Sequence, residues 1–203
     1  MDLDAYAPPK AVLNTGLEGG QAGELAAATP FFVVGKRKFV LLFLATLGTY
    51  RIYWFYKQWQ AYKRVHGGSI WPVLRAIFTI FFAHSLFEAA DREALRRGVR
   101  IGWEPRSLAS TYVVVAIVSS VLDRLSNKDI GSPYTDILSL ICLPIMCSVL
   151  VSAQGAINRA CGDPEGEGNS KLTWANYIWL VIGALMWLVI GYGFYAIYTG
   201  AAN

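Results

Sequence analysis

His84, Glu88 and Asp91 fall at i, i+4 and i+7, so on a helix an imidazole and two carboxylates share one face. Such a set could hold a divalent cation or relay a proton. A carboxylate-bridged metal bundle needs a second His/Glu pair on another helix, and the only other histidine, His66, has no such partner. Glu88 and Asp91 also lie where an apolar run gives way to the charged stretch Glu88 to Arg97, so a solvated face explains them. No metal and no cofactor is expected. Asp163, Glu165 and Glu167 alternate before Gly168 as in a calcium loop, but the twelfth position is Trp174, where a bidentate glutamate is required. Neither G-x-S-x-G nor H-E-x-x-H occurs, so no catalytic residue is assigned and no enzyme is expected.

Other polar side chains sit inside apolar runs, where ionisable groups are functional candidates by default. Arg51 interrupts the first run, and Arg75 lies about a turn inside the second, near enough to an end to snorkel. Gln154 and Asn158, four apart, are placed to hydrogen-bond across helices. Asp136 belongs to the first turn of its helix. The candidate functional set is therefore His84, Arg75, Glu88, Arg51, Gln154 and Asn158.

The elements carrying these residues are apolar. The 203-residue chain is 55% hydrophobic and 16% charged, with mean hydropathy +0.39, which excludes an ordinary soluble domain. Five apolar segments, approximately 39–56, 70–87, 108–122, 134–157 and 174–198, follow a flexible tail at 1–34 and make a helical membrane domain of 35–203. Asp2 and Asp4 replace the basic region of a secretory signal. Phe31 to Gly35 is a short apolar patch suited to the membrane surface. Ser148, Ser152 and Ala156 form a small-residue face. Cys142, Cys147 and Cys161 are odd in number and read as inert thiols. The basic residues flank the apolar segments, so the expected partners are the lipid bilayer and a protein partner or a second copy, not nucleic acid.

The most distinctive stretch is Thr46-Leu47-Gly48-Thr49-Tyr50-Arg51-Ile52-Tyr53-Trp54-Phe55-Tyr56-Lys57. It resembles the signature of a bacterial family of small multi-pass membrane proteins without assigned function, typically Thr-Leu-Gly-Ile-Tyr-x-Ile-Tyr-Trp-x-Tyr-Lys. Thr49 stands where Ile is usual, and Arg51 occupies the variable place. The resemblance implies a bacterial inner-membrane protein and supplies no activity. Physically, Gly48 permits close contact or a bend. Thr46, Tyr50, Tyr53, Trp54 and Tyr56 make a membrane-interface motif, with rings at headgroup level and Arg51 reaching phosphate.

Charge asymmetry orients the chain. Five crossings with the N-terminus inside put ten flanking Lys and Arg on the inner side against five outside. If the first two segments instead enter and return as a hairpin, Lys57, Lys63 and Arg64 join the inner set and the bias becomes thirteen against two. The expected fold is an all-α polytopic bundle of about five membrane segments, with three spans plus an N-terminal re-entrant hairpin as the alternative. The N-terminus is then cytoplasmic and the C-terminus on the outer side. The expected function is a scaffold or accessory subunit of an inner-membrane complex. The alternative is a small oligomeric transporter or channel with a polar path near His84 and Arg75.

Overall fold

Ten residues of helix rise about 15 Å, half the hydrocarbon thickness of a bilayer, and the first apolar run yields no longer helix before it turns. In a computed structural model describing residues 29–199, helix α1 (Lys36–Ala45) ends where the Thr46 hydroxyl donates to Leu42 O (2.7 Å) and accepts from Tyr50 N–H (3.1 Å). Leu47 (φ 51°) and Gly48 (φ 78°) then take left-handed backbone, which reverses the chain. A Cβ on Gly48 would lie 3.0 Å from Leu143 and 3.3 Å from Phe43, so space as well as φ demands glycine. Helix α2 (Tyr50–His66) runs back beside α1. Segment 39–56 is thus two helices, not one.

The second apolar run is also divided. A short helix α3 (Pro72–Ile77) descends along α2, breaks at Phe78 (φ −95°, ψ 49°), and α4 (Thr79–Arg96) climbs again. After these come α5 (Pro105–Ser126), α6 (Tyr134–Ala160), a 3-10 turn at Glu167–Asn169 and α7 (Trp174–Thr199). Among the described residues all regular structure is helical. Three helices, α5, α6 and α7, are long and apolar enough to cross a membrane. The tail expected at 1–34 lies outside the described residues up to position 28. From Phe31 onward the chain is packed, with Phe31 and Val34 fully buried rather than lying on a surface.

Contacts along α6 give the register. Lys36 and Gln58 both reach α6 around Gly155 and Gln154, whereas Gly48 and Arg51 meet it at Leu143 and Met146. Hairpin α1–α2 therefore starts and ends level with one end of α6, here the near end, and its tip reaches the helix midpoint. Hairpin α3–α4 follows suit, since His66 closing α2 lies 3.5 Å from Glu93 near the end of α4. Its tip lies where Thr79 meets Tyr112, about 10 Å into α5. Among the described residues the links 67–71, 97–104 and 161–173 gather at the near end, and turn 127–133 lies at the far end with the C-terminal end of α7.

Aromatic rings fill the tip and shaft of the first hairpin: Phe39 stacks on Phe43 and meets Tyr50 and Trp54 edge to face, and Phe55 packs on Tyr112. Tyr50 and Trp54, expected at headgroup level, are core residues. Helix α7 packs chiefly on α1 through Gly183, whose added Cβ would sit 2.1 Å from Ala45 O, while Trp187 Nε1 donates to Leu44 O at 3.0 Å. Helix α7 thereby caps the carbonyl end of the much shorter α1. Gly183→Ala should push α7 off α1 and lower the thermal midpoint in detergent, an overpacking cost of ~1–3 kcal/mol. Gly191→Ala on the same helix, with open space around it, should leave the midpoint unchanged or raise it.

Candidate functional site

Three fully buried amides tie the near end together. Gln58 Oε1 accepts from Phe32 N–H (3.0 Å), and its Nε2 donates to Phe32 O (3.0 Å) and Gln154 Oε1 (3.1 Å). Gln154 Oε1 also accepts from Trp54 Nε1, and its Nε2 donates to Phe32 O (3.2 Å) and Asn158 Oδ1 (2.6 Å). Asn158 Oδ1 takes Val34 N–H (3.4 Å), and its Nδ2 donates to Val34 O (3.0 Å). Phe32 and Val34 are thus held on both backbone groups at a spacing of two, as a β-strand is held by its neighbour, but by amide side chains. Asn169 takes the other edge: its Nδ2 donates to Val33 O (3.0 Å), its carbonyl accepts from Gly35 N–H (3.2 Å), and Lys38 Nζ donates to its Oδ1 (2.6 Å). Asp163 shapes the turn carrying Asn169 by accepting from Glu167 and Gly168 N–H, both at 2.9 Å. Those N–H groups, Gly168 first, hold its carboxyl below the ordinary 3.8, so it is ionised at neutral pH.

Fixing the hairpin at this end places its tip above a cavity of about 410 Å³ that occupies the far half of the bundle. Leu47, Thr49 and Arg51 of the tip roof it. Ser119, Ser120, Asp123 and Ser126 of α5 and Asp136, Ser139, Leu140, Leu143 and Met146 of α6 form two walls, with Ile190 and Phe194 of α7 as the third. The carboxylates are held reciprocally across the α5–α6 seam: Ser139 Oγ donates to Asp123 Oδ1, and Ser126 Oγ donates to Asp136 Oδ1. Asp136 Oδ2 is buried with no partner among the described residues. Arg51 Nη1 contacts Met146 Sδ at 3.4 Å, and among the described residues no carboxylate reaches ion-pair distance of it. One guanidinium and two carboxylates thus stand apart around a polar space.

The other sequence candidates have separate tasks. His84 Nε2 meets Ser110 Oγ at 3.1 Å, Glu88 accepts from Arg106 Nε at 2.8 Å and pairs with Arg92 at 3.7 Å, and Asp91 accepts from Trp103 Nε1 at 2.8 Å. The shared face therefore stitches α4 to α5 and the link before it, and no metal-sized cluster occurs among the described residues. The hydrogen bond from Arg106 leads in holding the Glu88 carboxyl below its ordinary value. Arg75 stacks over Trp59 (4.2 Å) and Phe82 (4.9 Å), a cation–π anchor. Neither His84 nor Arg75 lines the cavity. Of the candidate set only Arg51 does. Ser148 and Ser152 are exposed and bond back to their own helix, so no helix among the described residues covers that face, though Ala156 is buried.

Gln58 and the Asp–Ser pairs were missed in the sequence. A signal existed for the latter: Ser119, Asp123 and Ser126 repeat at i, i+4 and i+7 within an apolar helix, a polar stripe facing inward. The chain matches no described protein family, no curated protein and no solved structure.

Replacing Asn158 by Leu should orphan both backbone groups of Val34, at ~1–3 kcal/mol for each lost partner. Hydrogen exchange at the Val34 amide should quicken at least about tenfold, whereas Asn158→Asp, which keeps an acceptor, should give a smaller change.

Proposed function

We propose that this chain is a multi-pass protein of a bacterial inner membrane, with three crossing helices and two half-membrane hairpins, that holds a polar solute within the bilayer without catalysing its conversion. The observation that carries this reading is the polar cavity beneath the first hairpin. A hairpin only about 15 Å deep leaves the other half of the membrane thickness unfilled by helix, and that half is where Arg51, Asp123 and Asp136 collect. Irregular backbone such as Thr46 to Thr49 is tolerated at membrane depth where it is buried in protein or lines a cavity, and here it does both. A carrier or channel subunit uses such a half-depth site. The polar path in this reading runs past Arg51 and not past His84 and Arg75.

The orientation has the near end in the cytoplasm and the C-terminus outside. Lys36, Arg37, Lys38, Lys63, Arg64, Arg92, Arg96, Arg97, Arg100, Arg106, Arg159 and Lys171 belong to the near-end helix termini and links, and mid-helix Lys57 shares a pocket with Gly168 and Asn169 of such a link, against Arg124 and Lys128 at the far end. That bias supports hairpins over crossings. Membrane residence is supported by the three long apolar helices, and the inner-membrane and bacterial assignments follow the resemblance of Thr46 to Lys57.

A second reading, a scaffold or accessory subunit, is favoured by α7. Only 6% of its apolar window is buried, against 33% for α6, so most of its surface is left for lipid, a second copy or another protein.

Cysteine labelling tests the first reading. With Cys142, Cys147 and Cys161 replaced by Ala, Gly67→Cys and Lys128→Cys should react with an impermeant maleimide from opposite sides of the membrane. Five crossings would put both on the outer side. Ser120→Cys should react with a small charged methanethiosulfonate added outside, and an inert thiol there would rule out a water-filled cavity.

A further inference from the structure

We infer that the cavity takes a phosphoethanolamine group, an oxyanion and a primary ammonium on a short linker, either free or as the headgroup of a lipid. This rests on the solute-holding reading above and adds the chemistry of the ligand. The charges at the cavity are one guanidinium and two carboxylates, and Arg51 reaches neither acid closely enough to pair. A simple anion would satisfy Arg51 and face two carboxylates, and a simple cation would meet the reverse. A zwitterion answers both ends at once.

The spacing fits such a ligand. Arg51 meets α6 at Met146 and Asp123 meets it at Ser139, seven residues or about 10 Å apart along the helix. A phosphate and an ammonium two carbons apart, each with a hydrogen bond of about 2.8 Å at its outer end, bridge a gap of that order. Guanidinium pairs bidentately with phosphate oxygens, and the three donors of a primary ammonium suit Asp123 and the serine hydroxyls beside it. A quaternary ammonium has no N–H to offer them.

The polarity of the cavity matches a lipid of the far leaflet. Its cation lies deep, at the hairpin tip, and its acids lie toward the far end, which is the order of phosphate and amine in a phosphatidylethanolamine headgroup. Beside this polar track the α7 wall is apolar, Ile190 and Phe194, facing Leu140 and Leu143, and α7 packs chiefly on α1.

The test uses the full-length protein in lipid discs. In discs of phosphatidylethanolamine and phosphatidylglycerol in equal amounts, native mass spectrometry should find phosphatidylethanolamine retained about tenfold over phosphatidylglycerol, the scale of one or two charge-assisted hydrogen bonds. Arg51→Gln and Asp123→Asn should each remove that preference, and Ser139→Ala should weaken it. Gln60→Ala, outside the cavity, should keep it. Thermal midpoints show which variants retain the fold, and Ser139→Ala keeps the comparison available if the charge changes unfold the protein. Titration of O-phosphoethanolamine and glycerophosphoethanolamine into discs of phosphatidylglycerol alone separates the sources: free compounds bind if the ligand comes from water, and only the lipid is held if it enters sideways. Equal retention of phosphatidylglycerol with no binding of either free compound overturns the inference, as does a preference that survives in folded Arg51→Gln and Asp123→Asn. A reactive Ser120→Cys alongside such a result would sink the ligand alone, and an unreactive one would sink the cavity reading with it.

Discussion

Gln58, Gln154 and Asn158 form a closed set of buried hydrogen bonds, and the depth of everything else follows from it. In a low-dielectric interior an amide that loses its partner pays its full desolvation penalty, about 1–3 kcal/mol for each orphaned group. Here every oxygen and nitrogen of the three amides is engaged, so none can change partner without stranding another. The set joins the strap at Phe32 and Val34, helix α2 and helix α6 in one register. Sliding α2 along α6 by a turn would break it. That constraint puts the Thr46–Thr49 turn at the midpoint of α6 and so determines where Arg51 stands.

Two kinds of segment in this chain look alike as amino-acid strings. Helices α5, α6 and α7 were legible because each is a single long apolar stretch with polar ends. Residues 39–56 have the same composition but are folded in half, and helical periodicity is identical on both sides of a bend. The turn is specified by Thr46, which bonds both helices, and by Gly48, which accepts a positive φ and close contact with Leu143 and Phe43. Both are ordinary residues in a membrane segment. The charge bias pointed to the near end for Lys57, Lys63 and Arg64 because it depends on loops and is blind to depth. Tyr50 and Trp54 misled for a related reason, since rings that suit a headgroup region also suit a packed core.

The cavity was half legible. Arg51 stood out as a charge inside an apolar run. Its surroundings did not, because Ser119, Ser126 and Ser139 are common in membrane helices and Asp123 and Asp136 sit where helix-end acids are expected. What gives them meaning is the side-by-side pairing of two helices joined by turn 127–133, a tertiary fact. The face of His84, Glu88 and Asp91 shows the converse. Its spacing suggested chemistry, yet each side chain meets a different partner in α5 or the link before it, and together they clip α4 in place.

The location of turn 127–133 bears on how such a chain enters a membrane. Inserting a helix is easy when the segment that must be carried across is short and electrically quiet. In the arrangement proposed here the two hairpins carry no loop across, because each dips in and returns to the side of synthesis. The one internal connection that is translocated lies between α5 and α6, where Arg124 and Lys128 are offset by Asp123 and Asp129. In that arrangement the thirteen near-end cations stay on the ribosome's side. A fold of half-depth hairpins, as proposed here, gains buried surface inside the bilayer while asking the insertion machinery to move almost no charge.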